Sequence, residues 1–160
     1  YNINPERLWS RSEAERAAAQ LTAVRAGRKP LYDDVSVIDR LEVPLAIVSN
    51  NQQATVDGIV DAFGLSGFVS HLGREPTLDG YRRRKPDPSY LETVLDRLGT
   101  RSVLYVGDSR VDVVAAAAAG VDSAYVRRPH RSAGYPDVEP TYRLDGLGQL
   151  LALPVQGETA

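Results

Sequence analysis

The chain has 160 residues, a formal net charge of −2 at pH 7, 42% apolar and 25% charged side chains, and neither cysteine nor methionine. That length supports one domain with its own core, or a core with a small appendage, and so small a charge gives no electrostatic case for nucleic acid or an anionic membrane as a partner. No apolar run approaches the roughly 18 residues of a membrane span, and without cysteine there is no disulfide, thiolate metal site or thiol nucleophile. A cytoplasmic location is expected. A natural translation product begins with Met, whereas this chain starts at Tyr1; an upstream segment is therefore expected, and a signal sequence within it stays open.

Pro5 to Gly27 reads as a helix rich in Ala, Glu and Arg, closed by Gly27, with Leu8, Ala14, Ala18, Leu21 and Val24 as a thin apolar stripe. "DDVSVIDRLEV" predicts a short helix with Val35, Ile38 and Leu41 on one face and Asp33 or Asp34 as cap. The apolar run Leu45 to Ser49 has the character of a buried parallel strand. Val56, Ile59, Val60 and Phe63 mark the buried face of the next helix, which Gly64 ends. "FVSHLG" predicts a strand, and the polar stretch "REPTLDGYRRRKPD" follows it. Asp87-Pro88 opens a helix, with Asp as cap and Pro at the first position, whose inner face is Leu91, Val94, Leu95 and Leu98. "SVLYVG", the helix "DVVAAAAAG" and the strand "SAYVR" come next. The tail combines a loop, "PHRSAGYPDVEP", a weak strand at Tyr142 to Leu144 and a short helix at Leu147 to Leu153. Strands alternating with helices predict an α/β fold built on a doubly wound parallel sheet, which binds ligands outside the carboxyl ends of its strands.

Three polar clusters fall at that edge or in loops that reach it. Asp108 and Asp112 follow the strand "VLYVG". Spaced by four at a helix start, they offer hard oxygen ligands for Mg²⁺; the alternative is an ordinary capped first turn stabilised by the helix dipole. Ser49 and Asn50 end the first apolar strand, where a hydroxyl and backbone N–H groups hold phosphate oxygens, or simply make a turn. Lys85 is one of only 2 lysines against 17 arginines and directly follows three of the latter. A compact ammonium reaches a phosphate and a carboxylate together where a planar guanidinium does not fit; the alternative is a solvated basic run. His71 and His130 are too far apart in sequence to argue for zinc, and Trp9 is read as packing.

Taken jointly, "AIVSNN", "KPDPSYLETVLDRLG" and "VLYVGDSRVDVVAAAAAGV" resemble the haloacid-dehalogenase-like hydrolases, in particular their phosphatases with a small helical cap, such as the phosphoglycolate phosphatase-like members. The resemblance spans Leu31 to Val126 and, loosely, the tail. It implies a Rossmann-like core over residues 30–160 and a remnant of the helical cap over residues 1–29. It implies that Ser49, with Asn50, binds the transferring phosphoryl group, that Lys85 steadies nucleophile and phosphate, and that Asp108 and Asp112 hold Mg²⁺, the latter directly or through water. The family's nucleophile is the first Asp of an Asp-x-Asp motif ending the first core strand, and no Asp-x-Asp occurs in this sequence. Asp39 is followed by Leu41 where the second acid belongs and lies in a stretch that fits a helix; Asp33 and Asp34 follow no buried strand. In the family the missing strand lies between those carrying Ser49 and Asp108, and a parallel sheet without it exposes apolar edges, so this strand is expected upstream. The expected activity is Mg²⁺-dependent hydrolysis of a small phosphorylated metabolite through an aspartyl-phosphate, by a monomer or homodimer. The alternatives are a sugar-phosphate mutase of the same family and a non-catalytic module that lacks the nucleophile.

Overall fold

The computed structural model describes residues 4–131 and 138–154. Its chain falls into two compact units. The first comprises the segment up to Leu31 together with Pro44–Tyr90; the second comprises Tyr32–Val43 and the chain from Leu91 onward.

In the first unit, α1 (Pro5–Arg25) begins at Asn4, whose side chain accepts hydrogen bonds from the N–H groups of Glu6 and Arg7. Gly27 adopts φ +70° just past its end, the left-handed conformation that closes a helix at least cost in glycine. The buried positions of α1 are Glu13, Ala17 and Val24. The expected stripe is therefore shifted: Leu8, Ala14 and Ala18 are exposed, and the inward line runs through an acid. The cause is chemical, since the buried Glu13 carboxylate meets the Arg74 guanidinium, whereas Leu8 is exposed among the described residues. Strands β1 (Leu45–Gln52) and β2 (Phe68–Arg74) pair in parallel, with α2 (Gln53–Phe63) as the crossover. Val56 and Thr55 are the most buried residues of α2, and Leu21 of α1 lies over Gly58, where a Cβ would come within 2.4 Å of it. A short helix, α3 (Leu78–Arg82), is capped by the Thr77 hydroxyl. It lies in the stretch "REPTLDGYRRRKPD" for which the sequence predicts no element; its five residues are too few for periodicity to register.

In the second unit, α4 (Ser89–Leu98, shared at its first two residues with the first unit) places Leu91, Val94 and Leu95 in the core. Strands β3 (Leu104–Gly107), β4 (Asp122–Val126) and β5 (Tyr142–Leu144) form a parallel sheet in that order, and α5 (Arg110–Ala119) crosses from β3 to β4. Ala115, Ala116 and Ala119 of α5 are buried: small side chains let the helix lie close to the sheet. Ala124, Val126 and Leu144 form a core cluster joined by Leu104, Val106, Tyr142, Leu147, Leu150 and Leu153. The segments Asp33–Arg40 and Leu147–Ala152 are 3₁₀ helices. Neither Asp33 nor Asp34 caps the first of them. Asp34 instead takes a forked pair of hydrogen bonds from Arg128, at 2.9 and 3.0 Å, and a third from the Leu147 N–H at 2.9 Å.

The described strands thus form two parallel sheets, of two and three strands, where one sheet is expected. Among the described residues β1 pairs only with β2 and β3 only with β4, and the apolar residues of both β1 and β3 are half-buried. Part of the tail loop expected at Pro129 to Pro140 lies outside the described residues.

Two predictions follow from this packing. Leu95 is 2% exposed and Leu8 59% exposed. In urea unfolding, Leu95→Ala should lose about 3 kcal/mol through lost transfer energy and a residual cavity, while Leu8→Ala should stay within about 0.5 kcal/mol. Acid titration tests the Asp34 fork. The hydrogen bonds from Arg128 hold the Asp34 carboxyl below its ordinary 3.8. A carboxyl lowered on folding stabilises the fold above its unfolded pKa and loses that contribution as pH falls through its folded one. The gap in thermal midpoint between wild type and Asp34→Asn should be full at pH 6 and close as pH falls below 3.8.

Candidate functional site

The predicted phosphate-binding residues lie in the first unit and the predicted metal acids in the second.

In the first unit the β1–β2 ladder slips once between Leu45 and Ala46, runs in register from Ala46, opposite Ser70, to Val48, opposite Leu72, and resumes at Gln52, opposite Arg74. Ser49, Asn50 and Asn51 occupy the gap, three residues facing the single residue Gly73. An excess of backbone on one strand lifts it out of the ladder and re-aims its side chains. Gly73 is where the lifted chain passes: a Cβ there would sit 2.7 to 2.8 Å from backbone atoms of Asn51, Gln52 and Gln53. Groups freed from the ladder find partners off it. The Asn51 N–H donates to Ser49 Oγ at 3.1 Å. Arg74 Nε donates to the Asn50 carbonyl at 2.9 Å.

Asn50 and Lys85 clasp each other. The Asn50 Nδ2 donates to the Lys85 carbonyl at 3.1 Å, and the Lys85 N–H donates to Asn50 Oδ1 at 2.8 Å. The Lys85 side chain then runs to the point in β1 where the regular ladder breaks off, and its ammonium donates to the Val48 carbonyl at 3.1 Å. Lys85 is 9% exposed. That excludes the solvated basic run as a reading of its side chain, since a buried ammonium is retained only with partners. The surrounding arginines do lie on surfaces, but over rings: Arg84 stands 3.5 Å from the Tyr81 centroid and Arg83 5.2 Å from that of Tyr90. Below them Tyr90 donates to Glu75 at 2.5 Å. That bond lowers the Glu75 carboxyl pKa, while burial first and the carboxylate second push the Tyr90 hydroxyl up to about 12. Asp87 accepts from both the hydroxyl and the N–H of Ser89, which hold its carboxyl low.

In the second unit Gly107 ends β3 and Asp108 follows it directly. Asp112, in the first turn of α5 and 7% exposed, turns back so that its Oδ2 accepts from the Ser109 N–H at 3.1 Å and the Ser109 hydroxyl at 2.7 Å. Its side chain rests on Gly107, where a Cβ would approach it to 2.3 Å. The capping role that the sequence leaves open is thus fulfilled by Asp112. Asp108 is partly open, its side chain 23% exposed, and takes two bonds from Arg131 at 3.3 and 3.4 Å, with His130 Nε2 at 4.0 Å. His130 also pairs with the Tyr32 hydroxyl at 3.0 Å and stacks on its ring. His71, the other histidine, lies 3.1 Å from Asp57.

Mg²⁺ takes oxygen ligands, commonly one or two carboxylates with waters and a substrate phosphate filling the rest. Asp108, partly exposed beside Gly107, has the chemistry and the access for such an ion; Asp112 has an oxygen already engaged by Ser109, which suits a contact through water. Among the described residues no three or more His, Cys, Asp or Glu gather into one group. The sequence singles out Ser49, Asn50, Lys85, Asp108 and Asp112 as candidates, but not the residues that hold them in place. Glu13, Arg74 and Arg131 carry no local signal: they are one acid in a charged helix and two of many arginines.

A parallel α/β topology with polar residues at strand ends defines a Rossmann-like class. Comparison with known proteins narrows it. The family model for haloacid dehalogenase-like hydrolases matches residues 23–126, and the chain belongs to that family. It is 33% identical over 143 residues to Phosphoglycolate phosphatase 1 of Pseudomonas aeruginosa, covering 87% of this chain and 50% of that protein. A phosphoglycolate phosphatase of Pseudomonas fluorescens is 31% identical with the same coverage. Among solved structures, a protein described as a predicted phosphoglycolate phosphatase from Haemophilus somnus superimposes with a TM-score of 0.62 at 25% identity, over 77% of this chain and 56% of that one. The chain spans about half the length of the curated relatives it matches.

Gly73 supplies the test of the lifted segment. Gly73→Ala should leave α2 and β2 in place but displace Asn50–Gln52, because backbone and not a flexible side-chain tip blocks the new methyl. We expect a loss of about 1 to 3 kcal/mol by thermal unfolding, accompanied by altered amide signals at Asn50, Asn51 and Lys85 in a ¹⁵N spectrum; unchanged signals there would contradict the close passage.

Proposed function

We propose that this chain is the major part of the catalytic core of a phosphomonoester hydrolase acting on a small phosphorylated metabolite, with phosphoglycolate the substrate to test first because the curated relatives bear that name. The observation that carries the reading is the buried Lys85 ammonium, clasped through Asn50 and brought to the Val48 carbonyl, the residue before Ser49, where the regular parallel ladder breaks off. An ammonium kept there against its desolvation cost is suited to a substrate whose charge sits on equatorial phosphoryl oxygens.

In this reading Lys85 and the Ser49 hydroxyl bind and orient the phosphoryl group, and Asn50 keeps both in place. The nucleophile is an Asp of an Asp-x-Asp strand supplied by the longer protein. Its carboxylate attacks phosphorus, the bond to the alcohol oxygen breaks, and the second acid of the motif protonates that oxygen. Water then cleaves the aspartyl-phosphate, returning the carboxylate and releasing phosphate. Asp108, with Asp112 through water, would hold Mg²⁺, which when bound neutralises charge on the phosphoryl oxygens. Fixing these groups before the substrate arrives is the protein's contribution.

The test uses the protein that carries this chain behind an Asp-x-Asp strand. Mg²⁺-dependent release of phosphate from phosphoglycolate is expected. Asp108→Asn should abolish most of it, and Lys85→Arg should lower kcat at least about tenfold, roughly 1.4 kcal/mol in the transition state, since a guanidinium does not fit the ammonium's place. Full activity in a chelator or in Asp108→Asn would remove the metal assignment. A folded protein inactive on a broad phosphate panel would favour a non-catalytic module.

A further inference from the structure

Glu13 is fully buried, the most enclosed charged residue described. Its carboxylate is held by the Arg74 guanidinium, whose side chain is 9% exposed, by Gln52 Nε2 at 3.0 Å and, from outside, by Arg16 at 3.3 Å. The same Gln52 Nε2 lies 2.6 Å from the Glu13 carbonyl. Gln52 and Arg74 are partners across the two strands, on the rung where the ladder resumes beyond the lifted segment. The carboxylate of α1 therefore fastens both strands at that rung.

Stability alone does not account for the pair. Desolvating two charges costs about as much as their attraction returns, and well-packed apolar residues of similar volume often serve as well. What an apolar pair cannot supply is direction. With one edge of its guanidinium held by Glu13, Arg74 aims Nε at the Asn50 carbonyl at 2.9 Å and an NH group at the Glu75 carbonyl at 3.3 Å. Its Cζ also stands 5.5 Å from the Tyr81 ring centroid. The peptide it fixes is the one following Asn50, whose side chain clasps Lys85.

We propose that Glu13 and Arg74 are positioning residues, a buried ion pair that sets the Asn50 peptide and through it the place of the Lys85 ammonium. The consequence for catalysis rests on the phosphatase reading; the consequence for Lys85 does not. Because the chain holds only Lys29 and Lys85, ¹³C-labelled lysine gives two side-chain signals from these residues. Lys85→Arg identifies which is which, and Lys29 is the internal control.

The deciding variant is Glu13→Leu with Arg74→Met, which removes the pair without leaving a buried charge unpaired. We expect it to fold, to move the Lys85 signal while leaving that of Lys29 in place, and to speed exchange of the Lys85 amide hydrogen at least about tenfold, as opening of a local clasp does. Arg74→Lys retains the charge beside Glu13 but not the fork, and should speed the same amide; this arm decides the matter if the double variant does not fold. On phosphoglycolate, kcat should fall more than KM changes. An unmoved Lys85 signal and amide in a folded double variant, or in Arg74→Lys, would overturn the proposal and leave the pair as packing. Moved signals in a protein without phosphatase activity would keep the positioning role and remove the phosphatase reading.

Discussion

Everything at the predicted phosphate end of the first unit depends on a mismatch of length: three residues of β1 stand where one residue of β2 faces them. Two extra peptides cannot be paired within the ladder, and backbone polar groups left unpaired away from water are expensive. Each solution to that problem is also a placement of a functional side chain. The Asn50 carbonyl turns to Arg74, so its amide side chain meets Lys85. The Asn51 N–H turns to Ser49, so the Ser49 hydroxyl oxygen is held within the lifted segment. Gly73 is the complementary condition, since any side chain there would occupy the space the lifted chain uses.

The second unit solves a different problem at the equivalent point, the passage from strand to helix. The N-terminal turn of α5 exposes backbone N–H groups, and Asp112 reaches back over Gly107 to Ser109. A carboxylate at that place is stabilised by the helix dipole whether or not a cation is near. Structural and functional readings of Asp112 therefore do not compete. The fold retains the acid for its own sake, and the adjacent Asp108 is the residue whose position the helix start does not require. It is also the more open of the two, with Arg131 and His130 beside it.

Much of this was legible in the residues. Strands are expected at "LAIVS", by its continuous apolar character, and at "FVSHLG", "SVLYVG" and "SAYVR", and all four are present; even the three-residue β5 lies where the weak signal at Tyr142 to Leu144 puts it. Lys85 stands out because it is one of only 2 lysines against 17 arginines and directly follows three of the latter. What escaped was set by long-range pairing. The inward face of α1 follows Glu13 because Arg74 and Gln52 lie across from it, and a helical stripe counted in apolar residues has no term for a buried acid. Asp34 looked like a cap from its neighbours, yet its partners, Arg128 and Leu147, are 94 and 113 residues away. The lift of Ser49–Asn51 depends on register between two strands, which neither strand encodes by itself.

The Asp34 fork also bears on how the chain assembles. The residues assigned to the first unit have all been made once Tyr90 has, whereas Tyr32–Val43, interposed within it in sequence, belongs to the second unit. On a ribosome releasing roughly 5 to 20 residues each second, domains tend to fold as soon as their chain emerges. Asp34 must then wait for Arg128 and Leu147 while the segments on either side of it are already engaged. Closing so long a loop is slow and entropically unfavourable until its contacts form. The interposed segment is thus the last piece of an early-made stretch to find its place, and the charged fork at Asp34 is the latch that ends that interval.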